Sequence, residues 1–157
     1  MSGEFPAGLI EGVRGLAARY PAPQAALLPV LHLVQNERGH LSTDDERRVA
    51  ALLGLPPMKV HEVVTFYSMF RRAPVGRYHL QVCTNVSCSL AGAEALAARL
   101  EARLGIRMGE TTPDGKFTLT GVECLGACET APCLMVNFDY HGGLDEDKLE
   151  ALLGGLA

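Results

Sequence analysis

The sequence YHLQVCTNVSC at residues 78–88, together with FTLTGVECLGAC at residues 117–128, decides the fold of the C-terminal half. Each stretch opens with a short run of β-forming residues and ends in two cysteines, spaced C-x4-C in the first and C-x3-C in the second. Two cysteines so close in sequence can chelate one metal ion, and neighbouring strands would bring the two pairs together. We therefore predict a four-thiolate site. Its ligands would be Cys83, Cys88, Cys124 and Cys128.

This site has two main chemical candidates. A [2Fe-2S] cluster takes two cysteines on each iron, so we predict Cys83 and Cys88 on one iron and Cys124 and Cys128 on the other. Backbone N–H groups from turns of small residues would offset the negative charge on sulfur, and Gly126 is expected to adopt a positive φ. Structural zinc also takes closely spaced ligand pairs. Spacing alone therefore leaves both the cluster and zinc open.

The fifth cysteine, Cys133, has no partner in either motif. It begins the apolar run CLMV, and we predict a small buried core residue, with a substitute ligand as the second interpretation. Disulfides are not favoured, because the N-terminus lacks the pattern of an export signal and the expected compartment is reducing. A thioredoxin-like thiol oxidoreductase is a third class, but its usual C-x-x-C motif is missing.

Residues 1–72 have the apolar spacing of a helical bundle. Helices are predicted over residues 5–20, 24–38, 43–54 and from 56 to 70 or 71. Gly39 would end the second helix, and a capping box at Thr43-Asp44-Asp45-Glu46 would begin the third. Three aromatic residues near the end of the fourth helix are expected to pack in the core. They are Phe66, Tyr67 and Phe70.

The pattern changes after a joint at residues 73–76, so we predict one domain at 1–72 and a second at 73–157. In the second domain the predicted strands are 78–82, ending at Cys83, then 117–122 and 133–136, with helices at 89–104 and 145–153. The last two strands could pair with each other. The resulting order, β-α-β-β-α, is compatible with a thioredoxin-like core, and the predicted fold class is α+β.

Composition excludes several other classes of function. The net charge of -4 and the lack of a dense Lys/Arg run disfavour nucleic-acid binding. The longest nearly apolar stretch, residues 25–34, is well short of the roughly 20 residues needed to cross a bilayer, so no membrane insertion is expected. Neither a G-x-G-x-x-G motif nor a P-loop is present, and no catalytic residue is predicted.

The chain resembles the thioredoxin-like [2Fe-2S] subunit of respiratory complex I, also called the E-type subunit of NADH-quinone oxidoreductase or the NADH dehydrogenase flavoprotein 2 family. The resemblance runs from Gln24 to Leu153 and consists of several segments in order. They are EVVTFYSMF at 62–70, PVG at 74–76, the cysteines at 83 and 88, GAE at 92–94, TPDG at 112–115, ECLGAC at 123–128, AP at 131–132 and VN at 136–137. Cys133 departs from the family pattern, which would have an aliphatic residue there.

The resemblance implies that Cys83, Cys88, Cys124 and Cys128 hold one [2Fe-2S] cluster in a thioredoxin-like domain joined to a helical bundle. It implies a one-electron carrier of an NADH-quinone oxidoreductase, with FMN and NADH bound only by a partner subunit and with further peripheral-arm subunits in the complex. It also implies a cytoplasmic place at the inner face of the cell membrane. Since related subunits serve in NAD-linked hydrogenases and formate dehydrogenases, such a host is the alternative. No NADH or quinone site is expected in this chain.

Overall fold

The computed structural model describes residues 3–156, and the chain divides into two compact units between Pro74 and Val75. The first unit is helical, and the second combines helices with a mixed sheet, so the predicted α+β fold class is confirmed. Among residues 3–156, no helix has both the length and the apolar character that a membrane crossing requires.

The N-terminal unit consists of four α-helices and a short 3-10 helix, counted over residues 3–74. They are α1 (Ala7–Ala17), the 3-10 helix (Pro23–Ala26), α2 (Leu27–Arg38), α3 (Thr43–Leu53) and α4 (Pro57–Phe66). The apolar faces of these helices meet in one core, where each fully buried aliphatic side chain contributes about 1.5–3 kcal/mol. Core members include Val13, Val30, Leu31, Val34, Val49 and Val60.

Helix α3 has its cap one residue earlier than predicted. The N-cap is Ser42, whose Oγ accepts a hydrogen bond from the N–H of Asp45 at 3.2 Å, while Asp45 accepts one from the N–H of Ser42 at 3.0 Å. The predicted capping box at Thr43 to Glu46 was therefore wrong by one position. Glu46 instead lies buried, with Oε2 2.7 Å from Nδ1 of His61.

The chain leaves helix α4 earlier than its apolar spacing predicted. The helix ends at Phe66, because Tyr67 takes an extended conformation with φ -91° and ψ 112°. The buried side chain of Gln35 hydrogen-bonds the backbone of the segment that follows. Phe70 is buried as predicted, but Phe66 is 81% exposed, so the core role predicted for Phe66 was wrong.

The C-terminal unit has four strands and three α-helices over the described residues 75–156. The strands are β1 (Tyr78–Cys83), β2 (Phe117–Val122), β3 (Cys133–Val136) and β4 (Asp139–Gly142). The helices are α5 (Val86–Leu90), α6 (Ala93–Leu104) and α7 (Glu146–Gly155), and a 3-10 turn covers Cys128–Thr130. Buried aliphatic residues from the sheet and from α6 and α7 form the core. They include Leu80, Val82, Leu100, Leu119, Leu134 and Leu149.

Strand β1 lies inside the sheet, whose order is β2-β1-β3-β4. It pairs in parallel with β2, which requires the crossover that α5 and α6 provide, and antiparallel with β3. The register places Cys83 beside Val122 and Val82 beside Leu134. The predicted pairing of residues 133–136 with residues 117–122 was therefore wrong, because β1 lies between those two strands.

Strand β4 was not predicted. It forms a hairpin with β3 through the two-residue turn Asn137-Phe138, in which Val136 pairs with Asp139 and Asn137 has φ 55°. The side chain of Asn137 also accepts a hydrogen bond from the N–H of His79 at 3.0 Å, which ties the turn to β1. The segment DYHG has too few apolar residues to be predicted as a strand from its sequence. The only local signal for the hairpin was Asn137, because asparagine is common in two-residue turns with positive φ.

Candidate metal centre

Three cysteine sulfurs lie together at one end of the sheet. Cys83 is the last residue of β1 and Cys133 is the first residue of β3, and these two strands are neighbours. Cys88 joins them from helix α5. All three sulfurs lie within 4.8 Å of one another, and all three residues are buried. The structure therefore brings two of the four predicted ligands together with Cys133.

A sharp turn after β1 places Cys88 in this group. Asn85 is the N-cap of α5, and its Oδ1 accepts a hydrogen bond from the N–H of Val86 at 2.9 Å. The hydroxyl of Ser89 donates to the carbonyl oxygen of Thr84 at 3.1 Å. The spacing of the motif indicated two cysteines in one loop, whereas Cys88 lies in a short helix whose start is fixed by these two bonds.

The other predicted pair, Cys124 and Cys128, lies in the segment after β2, and both residues are exposed. Gly126 donates its backbone N–H to Sγ of Cys124 at 3.3 Å and has φ 71°, which confirms the positive φ predicted for it. Neither sulfur belongs to the group of three. The predicted ligand set is thus one buried pair and one exposed pair.

The sulfur of Cys83 links the two cysteine segments. Burial disfavours its thiolate, but hydrogen bonds from the backbone of Asn85 and Leu125 and from the thiols of Cys88 and Cys133 outweigh burial, so the pKa of Cys83 is lowered. Because Leu125 follows Cys124 directly, its bond brings the exposed segment up to the buried group. Cys83 is therefore well prepared to bind metal as a thiolate.

The remaining two buried thiols favour the protonated form. Burial raises the pKa of Cys88, and burial with the neighbouring Cys88 sulfur raises the pKa of Cys133 to about 12. Sγ of Cys133 lies 3.6 Å from Sγ of Cys88. Cys133 is buried, as predicted, but it contacts the predicted ligands. Only knowledge that β3 pairs with β1 would have revealed this contact from the sequence.

The chemistry of these residues fits a [2Fe-2S] cluster. Thiolate is the soft donor that both iron–sulfur clusters and zinc accept. Backbone N–H groups reach three of the proposed ligand sulfurs, those of Cys83, Cys88 and Cys124, and so offset the negative charge that a cluster places on sulfur. The side chains packed among the buried thiols are mostly small. They are Ala93, Leu125, Ala127 and Ala131.

Sequence comparison finds one matching family over nearly the whole chain. The family described as thioredoxin-like [2Fe-2S] ferredoxin matches residues 13–157. The NADH-quinone oxidoreductase E 2 subunit of Rhizobium meliloti is 54% identical over 143 residues, which cover 91% of this chain and 85% of that protein. NADH-quinone oxidoreductase subunit 2 of Thermus thermophilus is 46% identical over 142 residues, which cover 88% of this chain and 78% of that protein.

Structure comparison finds the same fold within a larger protein. The NAD+-reducing [NiFe]-hydrogenase in the H2-reduced state superimposes with a TM-score of 0.71 and 27% identity over 83% of this chain. The same hydrogenase in the air-oxidized state gives a TM-score of 0.70. The matched region covers 22% of the hydrogenase chain, so this chain corresponds to a small part of it.

Proposed function

The chain belongs to the thioredoxin-like [2Fe-2S] ferredoxin family, and from this we propose that it is the one-electron carrier subunit of an NADH-quinone oxidoreductase. The observation that carries the proposal is the match to the E 2 subunit of Rhizobium meliloti over 91% of this chain and 85% of that protein. A bound [2Fe-2S] cluster accepts and returns one electron at a time. The chain is then one subunit of a multisubunit oxidoreductase.

The proposed ligands are Cys83 and Cys88 on one iron and Cys124 and Cys128 on the other. The support is chemical: two of these residues form a buried pair, and the backbone N–H of Leu125 joins the segment of the other two to Cys83. Cys83 and Cys88 would anchor the cluster to the sheet. Cys124 and Cys128 would cover it from the solvent side, since both are exposed.

The proposed partner is a subunit that holds FMN and the NADH site. This chain has neither a G-x-G-x-x-G motif nor a P-loop. The hydride of NADH carries two electrons and a [2Fe-2S] cluster accepts one, so a flavin that passes on one electron at a time would lie between NADH and the cluster. Two apolar side chains of α5 beside Cys88 are exposed, Val86 to 66% and Leu90 to 86%. Burying them against the partner would shorten the path for electrons. The complex would place this chain at the inner face of the cell membrane, on the cytoplasmic side.

Metal and acid-labile sulfide analysis of the anaerobically purified chain tests the cluster. We expect about two irons and two sulfides per chain and a rhombic paramagnetic signal after dithionite reduction. One zinc ion without sulfide would overturn the proposal in favour of a zinc-stabilised interaction module.

The partner is tested separately, with the cluster-loaded chain and a co-purified FMN-binding subunit. NADH should bleach the visible absorption of the cluster only when that subunit is present. Bleaching of the isolated chain by NADH would contradict the assignment of NADH and FMN to the partner.

A second host is a NAD-linked hydrogenase, which the superposition on the NAD+-reducing hydrogenase favours. The identity to that protein is 27%, against 54% for the Rhizobium meliloti relative, so the NADH-quinone oxidoreductase is the better supported host. Deleting the chain from its cells distinguishes the two. Loss of NADH-dependent quinone reduction supports the first host, and loss of H2-dependent NAD+ reduction supports the second.

A further inference from the structure

Cys133 is a buried thiol that the proposed ligand set leaves unused. It is 1% exposed, and its sulfur lies 3.6 Å from that of Cys88, within the range of a sulfur hydrogen bond. Cys83 completes the group, with all three sulfurs within 4.8 Å of one another. The thiol of Cys133 is thus in direct contact with the sulfur of a proposed ligand.

The sheet fixes the position of this thiol. Cys133 is paired with Gly142 of β4, and the next residue, Leu134, is paired with Val82 of β1. Its backbone is therefore held by neighbours on both sides of β3. Cys88, in turn, is held by the capped start of α5. The contact between the two sulfurs follows from two fixed backbone segments and does not depend on a long flexible side chain.

The geometry points to Cys133 as a hydrogen-bond donor to the sulfur of Cys88, a positioning residue that raises the reduction potential of the cluster. The inference rests on the proposed function, in which Cys88 is a ligand. Metal-bound thiolates carry no proton, so Cys83 and Cys88 can only accept, and the donor in the 3.6 Å contact with Cys88 must be the S–H of Cys133. Water does not compete for this bond, because both residues are 1% exposed.

The direction of the effect follows from charge. Adding an electron increases the negative charge on the ligand sulfurs, and a donor hydrogen bond stabilises that charge more in the reduced state than in the oxidised state. A single weak S–H donor should change the ratio of reduced to oxidised protein by about threefold at a fixed potential. This is about 28 mV, because a tenfold change corresponds to about 59 mV for one electron.

The test compares three variants of the full chain with its cluster in place. Cys133→Ala removes the donor, Cys133→Ser keeps an O–H donor of similar size at the same position, and Val136→Ala removes buried volume from the same strand without touching the sulfurs. The reduction potential of each is measured by redox titration with paramagnetic resonance detection. A second measurement, on protein loaded with its cluster in D2O, records the coupling of an exchangeable deuteron to the reduced cluster.

We expect the potential of Cys133→Ala to fall by about 28 mV and the deuteron coupling of the Cys133 thiol to disappear from its spectrum. Cys133→Ser should restore both, and Val136→Ala should change neither. Equal shifts in the alanine and serine variants would overturn the inference, because volume alone would then explain them. Loss of the cluster in Cys133→Ala would also overturn it, since Cys133 would then be a ligand. A wild-type chain without iron and sulfide would instead refute the proposed function itself.

Discussion

The replacement of Gly126 by alanine tests how the exposed cysteine segment is built. Gly126 has φ 71°, a conformation that costs an L-residue with a side chain about 1–2 kcal/mol. An added Cβ would meet no atom within 4 Å, so the cost is one of backbone conformation alone. The backbone N–H of the same residue donates to the sulfur of Cys124 at 3.3 Å. The strain would therefore act directly on a proposed ligand.

We expect Gly126→Ala to lower the free energy of unfolding of the C-terminal unit by about 1 kcal/mol. If the strain is relieved by turning the residue away from positive φ, the N–H is withdrawn from sulfur and the reduction potential falls as well. Urea unfolding followed by circular dichroism gives the first quantity, and redox titration of the cluster-loaded chain gives the second.

The matched control is Gly105→Ala. Gly105 caps helix α6 with φ 67°, and an added Cβ there would also meet nothing within 4 Å. The Gly105→Ala variant should lose a similar free energy of unfolding, and the reduction potential of its cluster should be unchanged. Gly126→Asn should recover part of the loss, because asparagine tolerates this conformation better than alanine does. The reasoning fails if Gly126→Ala is as stable as the wild type, or if Gly105→Ala shifts the potential equally.

Three further predictions concern a proposed ligand, a close backbone contact and a helix cap. Cys128→Ser should abolish or alter the visible absorption of the cluster, and an unchanged spectrum would remove Cys128 from the ligand set. Gly76→Ala should destabilise the C-terminal unit by about 1–3 kcal/mol in urea unfolding, because its Cβ would lie 2.9 Å from the carbonyl oxygen of Gly115, closer than real contacts allow. Ser42→Ala should lower the free energy of unfolding by about 1 kcal/mol in the same assay, because it removes the N-cap of α3. Thr43→Ala should lower it much less. If Thr43→Ala lowered it more than Ser42→Ala, the cap of α3 would be assigned to Thr43.

Local patterns in the sequence were sufficient for much of the fold. Strand β1, strand β2 and the two cysteine motifs follow from short runs of residues, and so does the positive φ of Gly126. Each of these features depends on interactions between residues that are close in sequence, so a local sequence pattern is enough to predict it. The identity of the metal group needed more than spacing, because thiolate pairs suit zinc as well as iron, and the family resemblance made the choice.

Features that depend on distant residues were missed. The position of β1 between β2 and β3 is set by pairing across the whole unit, so the pairing of β3 was predicted wrongly. The contact of Cys133 with Cys88 depends on that pairing and was not predicted. Phe66 continues the apolar spacing of α4 but is the last residue of the helix. Its exposure depends on where the chain turns, and the side chain of Gln35, 31 positions earlier, hydrogen-bonds the segment after that turn.

The division of the four proposed ligands into a buried pair and an exposed pair bears on how iron enters and leaves the protein. Cys83 and Cys88 are attached to the sheet and to a capped helix, so they form a half-site whose shape is already set before iron arrives. Cys124 and Cys128 face solvent and can complete the coordination afterwards. Chelators and oxidants would meet the same two exposed sulfurs first, so loading and decay of the centre would proceed through one side of the protein.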